Sequence, residues 1–229
     1  MVVNTTIEMT EFIYHERQVK ELCALHALNN LFQERGFSKQ ELDQICYSLS
    51  PDVWINPHKS LLGLGNYDIN VIMAALQRRG CEAVWFDKRR DPKCLCLENI
   101  EGFILNVPTE YKLGFVLLPL KRRHWVALRK IQGAFYNLDS KLDSPQLIGK
   151  ESELVAYLKD QIESKEKELF LVVSREVDNN QGWLNYTREK KEECSDADSN
   201  TYIEDDLKKS VPDDVLNENE HFQNHQNSR

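Results

Sequence analysis

Long hydrophobic runs are missing from this chain of 229 residues. No stretch approaches the roughly 18 uninterrupted apolar residues that a membrane-spanning helix needs, so no membrane span is expected. The first residues, MVVNTTIEMTEF, have neither the basic start nor the apolar segment of a secretory signal. We therefore expect a protein of the cytoplasm, with the nucleus as a second location.

Cysteine is sparse, and its spacing excludes two common roles. The six cysteines are scattered along the chain, unlike the disulfide framework of a small secreted protein, so free thiols are expected. One residue separates Cys94 from Cys96, which is too tight for a zinc knuckle, and no second ligand pair follows. We expect no metal site and no cofactor.

Positive charge is also in short supply. The formal net charge is −8, and nucleic acid is not an expected partner because phosphate binding needs a concentrated basic field. Residues 178–229 hold 13 acidic and six basic side chains and few aliphatic ones, a composition typical of disorder. We therefore predict a flexible N-terminus over 1–11, one domain over 12–177 and an acidic, disordered tail over 178–229. A monomer is expected.

Helical patterns come first in the predicted domain, and strand patterns follow. The predicted helices cover 22–34, 38–49, 69–79 and the segment ESELVAYLKDQI. The second helix opens with a capping box at Ser38, and the third lies between a suitable N-cap, Asp68, and a suitable stop, Gly80. Strands are predicted at EAVWF, FILNV, HWVALRKI, AFYNLDS and ELFLVVS. This order indicates an α+β fold, with N-terminal helices packed on an antiparallel sheet.

Cys23 is a candidate nucleophile because of its place in the first predicted helix. One side of that helix gathers Leu22, Leu25, Leu28 and Phe32, and the other gathers Cys23, His26, Ala27 and Asn30. The thiol would thus lie off the main core and in the first turn, where the helix dipole lowers a thiol pKa. The alternative is a second buried face, in which Cys23 only packs.

A base and a residue to orient it are candidates in a predicted hairpin that turns at Gln132 and Gly133. With a two-residue turn, His124 shares a face with Asp139 as its diagonal neighbour, roughly 7 to 8 Å away. Asn137 would lie roughly 13 Å from His124, so we choose Asp139 over Asn137 as the orienting residue. His26, one turn along from Cys23, is the rival base. The side chain of Gln18 and the backbone N–H of Cys23 are candidate donors to an oxyanion.

Four stretches resemble the josephin-domain cysteine proteases, and most of all the small stand-alone josephin proteins. They are IYHERQVKELCALHALNN, GNYDINVIMAALQ, LPLKRRHWVALRK and FYNLDSKL. The resemblance covers nearly all of residues 12–175. It implies a papain-like α+β fold and a thiol protease that cleaves the isopeptide or peptide bond after the C-terminal glycine of ubiquitin.

The resemblance also implies the site and the partners. Cys23, His124 and Asp139 would form the triad and an acyl-enzyme, with Gln18 at the oxyanion hole. The ataxin type has Asn at the position of Asp139, and a carboxylate should orient His124 at least as well. The partners would be ubiquitin, ubiquitin chains and ubiquitinated proteins. A helical hairpin arm, drawn from 38–65, would cover the ubiquitin tail.

Three functions stay open at this point. The first is a deubiquitinating cysteine protease. The second is a ubiquitin-binding module that is catalytically weak until a modification or a partner activates it. The third is another Cys-His-Asp acyl transferase, since triad chemistry alone does not specify the acceptor.

Overall fold

The structure is a computed structural model that describes residues 12–59, 65–113 and 116–185. The helices are α1 (Cys23–Phe32), α2 (Lys39–Leu49), α3 (Ile69–Arg78), α4 (Glu151–Glu163) and α5 (Arg175–Asn179). The strands are β1 (Cys81–Trp85), β2 (Gly102–Leu113), β3 (Val116–Ile131), β4 (Ala134–Asn137), β5 (Gln146–Gly149) and β6 (Glu168–Ser174). In the described part of the chain, no helix has the length and apolar character needed to cross a bilayer.

The six strands form one antiparallel sheet in the order β1-β6-β2-β3-β4-β5. The predicted α+β class and the antiparallel sheet are confirmed. The sequence did not predict β5, a four-residue strand at the edge of the sheet. It carries little apolar alternation and forms because β4 leaves one side unpaired.

Both faces of the sheet are buried, and each central strand contributes to both. Trp125 and Ala127 of β3 belong to a core that includes residues of α1, α2 and α3. Val126 and Leu128 belong to a second core, against α4. Successive side chains of a strand point to opposite faces, so one strand supplies two layers. The fold therefore has three layers, with the sheet in the middle.

The predicted helix caps are confirmed. The Ser38 hydroxyl accepts the backbone N–H of Glu41 at 3.3 Å, and the Glu41 carboxylate accepts the N–H of Ser38 at 2.7 Å. Asp68 accepts the N–H groups of residues 70 and 71 at 3.0 and 3.2 Å at the start of α3. Gly80 follows α3 with φ of +73°, a left-handed conformation that glycine adopts without a steric cost.

The expected helical arm is only partly helical. Its first half is α2, but residues 50–59 run through turns and bends, and residues 60–64 lie outside the described part. Asn56 and His58 tie these turns down: the Asn56 amide donates to the Cys46 carbonyl at 2.7 Å, and His58 Nδ1 contacts Asp68 at 2.8 Å. The prolines and glycines of this segment favour turns over a second helix.

The packed domain continues past Val177, where composition had placed its end. Leu184 is 8% exposed and forms a β-bridge with Leu95. The backbone of Cys96 donates to Trp183 at 2.8 Å, and Asn185 donates to the carbonyl of residue 94 at 2.7 Å. The predicted boundary was therefore too early, because two apolar residues in a polar stretch are enough to anchor it. The predicted tail from residue 186 onward and the N-terminus over 1–11 lie outside the described residues.

Candidate active site

Cys23 is the first residue of α1, and Leu22 before it makes no side-chain cap. The backbone N–H groups of this first turn stabilise negative charge on a thiol placed there. The prediction that Cys23 lies off the core was wrong, because α1 is buried from Cys23 to Leu31 and Cys23 keeps 4% of its surface exposed. Cys23 is close enough to His124 to be one of the groups that raise the pKa of that imidazole, and this proximity distinguishes it from a cysteine that only packs.

The hairpin of β3 and β4 brings the next two residues together. Its turn is at Gln132 and Gly133, with φ of +50° and +80°, and Ile131 pairs with Ala134. The predicted two-residue turn and register are thereby confirmed. After β4 ends, the N–H of Leu138 still donates to β3 at 2.8 Å. The chain therefore stays alongside β3 long enough to place Asp139 beside His124.

His124 Nε2 and Asp139 Oδ1 are 2.6 Å apart. Only 3% of the His124 side chain and 21% of the Asp139 side chain are exposed, so water screens this pair weakly. Asp139 Oδ1 also accepts the N–H of Lys141 at 2.9 Å. Because Asp139 occupies Nε2, Nδ1 is the ring nitrogen left for a second partner. Asn137 accepts the N–H of Asp139 at 3.0 Å, so it contacts the backbone of this loop.

The ionisation of the pair follows from its surroundings. Burial opposes protonation of His124, but the hydrogen bond to Asp139 and the proximity of Cys23 outweigh it and raise the pKa of His124 above its ordinary value. Burial also disfavours the charged form of Asp139, yet the hydrogen bond to His124 and its charge hold the pKa of Asp139 below the ordinary value. These surroundings favour the protonated form of the His124 imidazole beside the Asp139 carboxylate.

Gln18 lies in the segment that leads into α1. Its backbone N–H donates to the carbonyl of Ser140 at 2.6 Å, which joins this segment to the loop after Asp139. The side-chain Nε2 donates to the carbonyl of Lys20 at 2.8 Å, while Oε1 is buried with no partner among the described residues. An amide nitrogen carries two hydrogens, and this bond uses one of them.

Gly65 supports the same segment from the other side. It forms a parallel β-bridge with Glu21, and the next residue, Asn66, donates to the carbonyl of Glu21 at 2.8 Å. With φ of +113°, Gly65 adopts a conformation that other residues rarely take, and an added Cβ would lie 2.5 Å from the Glu21 carbonyl oxygen. Close approach to the chain just before Cys23 therefore requires glycine.

His26 does not meet the requirements of the rival base. Its Nδ1 contacts Glu16 at 2.6 Å, and its Nε2 accepts the N–H of Val19 at 3.2 Å. Both ring nitrogens are thus occupied, and the residue is 8% exposed. His26 holds the segment carrying Gln18 against α1.

The sequence interpretation missed the polar side chains that surround this contact. Glu16 accepts from the Tyr14 hydroxyl, His26 and Asn29, and Asn30 bonds both backbone atoms of Glu16. The segment HALNN carried a signal that could have indicated them. Asparagine is unfavourable in the interior of a helix, so two adjacent asparagines in an apolar helix indicate that their side chains have buried partners.

In the part of the chain that the structure describes, no three His, Cys, Asp or Glu side chains come close enough together to hold a metal ion. None of the five described cysteines, Cys23 included, forms a disulfide. Nucleophilic chemistry by a thiol is what the arrangement around Cys23 can perform.

Known proteins resemble this chain over the same region. A family model described as Josephin matches residues 18–173. A Josephin-like protein of Drosophila melanogaster is 55% identical over 187 residues, which cover 79% of this chain and 84% of that protein. Human Josephin-2 is 52% identical over 172 residues, covering 75% and 92%. Human Ataxin-3 is 31% identical over 161 residues, covering 60% and 39%. The resemblance predicted from the four motifs is confirmed.

Proposed function

Because this chain belongs to the Josephin family and is a cysteine peptidase of the deubiquitinating kind, we propose that it hydrolyses the bond after the C-terminal glycine of ubiquitin, with Cys23 as nucleophile. The bond is an isopeptide bond to a lysine or a peptide bond. The partners would be ubiquitin, its chains and ubiquitinated proteins. The observation that carries the proposal is the proximity of Cys23, at the start of α1, to an imidazole that bonds Asp139 at 2.6 Å.

The reaction proceeds in two steps. His124 takes the proton of the Cys23 thiol, and the thiolate attacks the glycine carbonyl carbon. The tetrahedral intermediate collapses as His124 gives its proton to the leaving amine, which leaves a thioester between ubiquitin and Cys23. In the second step water loses a proton to His124 and attacks the thioester, which releases the ubiquitin carboxylate and restores the thiol.

Asp139 keeps the imidazole oriented and stabilises its charged form in both steps. The carbonyl oxygen that becomes negative needs donors already in place. The backbone N–H of Cys23 and the second hydrogen of Gln18 Nε2 are the donors we propose. The burial of Gln18 Oε1 and the bond of Nε2 to Lys20 support a fixed side-chain amide at this place.

The test is turnover of ubiquitin carrying a C-terminal fluorophore, together with labelling by a ubiquitin C-terminal electrophile. Wild type should release the fluorophore and form a covalent adduct that peptide mapping assigns to Cys23. Cys23→Ala should do neither. An adduct on another cysteine, or turnover by Cys23→Ala, would contradict the proposal.

The weakly active ubiquitin-binding module is a second candidate, and one observation favours it. One hydrogen of Gln18 Nε2 is already bonded to the Lys20 carbonyl, so the amide would have to serve two acceptors at once when the oxyanion forms. In that case the electrophile would label Cys23 while turnover of the fluorogenic substrate stayed near background. If wild type is labelled, and also turns over the substrate, at rates similar to those of a known thiol peptidase, this alternative is excluded.

A further inference from the structure

Asn30 makes three hydrogen bonds from inside the domain. It is fully buried, and its Oδ1 accepts the N–H of Glu16 at 2.6 Å. Its Nδ2 donates to the carbonyl of Glu16 at 3.2 Å and to the carbonyl of Leu138 at 3.0 Å. One side chain of α1 therefore binds two segments that are more than a hundred residues apart in sequence.

Each of these segments carries a residue of the proposed site. Glu16 comes two residues before Gln18, and Leu138 comes directly before Asp139. The two segments also bond each other, since the N–H of Gln18 donates to Ser140 at 2.6 Å. Asn30 sits on the same helix as Cys23, one to two turns further along. Asn30 therefore links the helix that carries Cys23 to the segment that carries Gln18 and to the loop that carries Asp139.

We propose that Asn30 is a positioning residue of the reaction, which sets where Asp139 and Gln18 stand relative to Cys23. This inference rests on the proposed function. The reason is geometric: Asp139 lies two residues beyond the last residue of β4, where one backbone bond, from the Leu138 N–H to β3, is all that continues the strand pairing at Leu138. The bond from Asn30 to Leu138 fixes the chain at that point. A shift of about 1 Å in a catalytic group can cost on the order of 100-fold in rate.

Asn29 provides a matched control. It is the neighbouring residue of the same helix, carries the same side chain and is 1% exposed. Its amide bonds the backbone N–H and carbonyl of Phe37 at 2.8 and 3.1 Å, and also the Glu16 carboxylate. Asn29→Ala and Asn30→Ala therefore both remove a buried amide from α1, but only Asn30 bonds the residue that precedes Asp139.

The first experiment measures kcat and KM on the fluorogenic ubiquitin substrate. Asn30→Ala should lower kcat by roughly 10- to 100-fold and change KM by less than about threefold, because positioning acts in the chemical step. Asn29→Ala should lower the melting temperature by a similar amount and change kcat by less than about threefold. Equal losses of kcat in the two variants would overturn the proposal.

A double-mutant cycle separates positioning from general loosening. If Asn30 acts largely through Asp139, Asn30→Ala should cost much less in an Asp139→Ala background than in wild type. The same fold-loss in both backgrounds would mean a merely structural role. Should Asn30→Ala fail to fold, Asn30→Ser, which keeps a hydroxyl, takes its place. If neither variant folds while Asn29→Ala does, Asn30 is a determinant of the fold and the proposal is wrong.

Alkylation of Cys23 by iodoacetamide distinguishes failure of this inference from failure of the proposed function, because it needs no ubiquitin. The rate at each pH, followed by peptide mapping, reports the thiolate paired with His124. Asn30→Ala should lower the rate near neutral pH and shift its pH profile, whereas Asn29→Ala should not. If wild type turns over no ubiquitin substrate, the proposed function fails while this comparison still tests Asn30. Unchanged profiles in both variants would overturn the positioning role.

Discussion

Replacing Asp139 by Asn tests how far the reaction depends on the charge of this residue. The His124–Asp139 hydrogen bond is 2.6 Å long and its imidazole is 3% exposed, so the loss is weakly screened. A hydrogen bond to a charged group contributes about 1.5–3 kcal/mol, so losing it in Asp139→Ala should cost roughly 10- to 150-fold in kcat/KM. Asn keeps an acceptor about half as strong, and Asp139→Asn should cost roughly 3- to 12-fold.

The pH profile gives a second, independent readout of the same change. The carboxylate is one of the groups that raise the pKa of His124, so Asp139→Asn should lower that pKa. In the proposed mechanism, activity needs His124 protonated beside the thiolate, so it should be lost as pH rises through the His124 pKa. The basic limb of kcat/KM should therefore move to lower pH in Asp139→Asn. Protonated His124 also contributes to the free energy of unfolding. That contribution is fully present below the pKa that histidine has in the unfolded state, and it is lost as pH rises through the raised pKa of His124 in the folded state.

The assay is kcat/KM on the fluorogenic ubiquitin substrate from about pH 5 to 9, for wild type and three variants. Asn137→Ala serves as the control, because among the described residues the Asn137 side chain bonds the backbone N–H of Asp139 and the side chain of Gln146, and not the imidazole. It should stay within about threefold of wild type. The reasoning is refuted if Asn137→Ala is more damaging than Asp139→Ala, or if the basic limb does not move in Asp139→Asn.

Three further predictions concern other parts of the molecule. Cys23→Ala should fold with a melting temperature close to that of wild type, and a scan showing an unfolded protein would mean that the thiol is needed for packing. His26→Ala should lose about 1–3 kcal/mol of unfolding free energy but keep measurable turnover, whereas His124→Ala should be inactive. If both variants fold and both are inactive, His26 would be the base. Truncation after Val177 should lower the melting temperature by roughly 5–15 °C, because it removes the buried Leu184, whereas truncation after Asn185 should leave it unchanged. Equal melting temperatures of the two truncated proteins would show that residues 178–185 add no stability.

Expectations that depended on neighbouring residues were confirmed. The capping box at Ser38, the cap at Asp68 and the stop at Gly80 are local devices, and each is present. The hairpin register was equally accessible, because a two-residue turn and the twofold period of strands fix which residues face each other. From that register alone the sequence indicated Asp139, rather than Asn137, as the neighbour of His124.

Expectations that depended on distant parts of the chain were less secure. Apolar periodicity placed Cys23 off the main core face of α1, but the segment 14–19 and the loop after β4 cover the other face as well, so Cys23 is buried. The end of the domain was misplaced because Leu184 packs beside Leu95, some ninety residues away in the chain. Composition is averaged over a window of residues, so it does not detect a single residue that packs against the core.

By itself, the sequence determined the family, the α+β class, the helix ends and the pairing of β3 with β4, since each is encoded in short motifs and turn chemistry. Only the tertiary structure decided that the thiol at residue 23 meets the imidazole at residue 124, that both ring nitrogens of His26 are occupied, and that Asn30 joins Glu16 to Leu138. These contacts join segments that are far apart in the chain, and no periodicity in the sequence relates residues at such distances. They arise when the sheet and α1 pack together, because buried polar groups must then find partners.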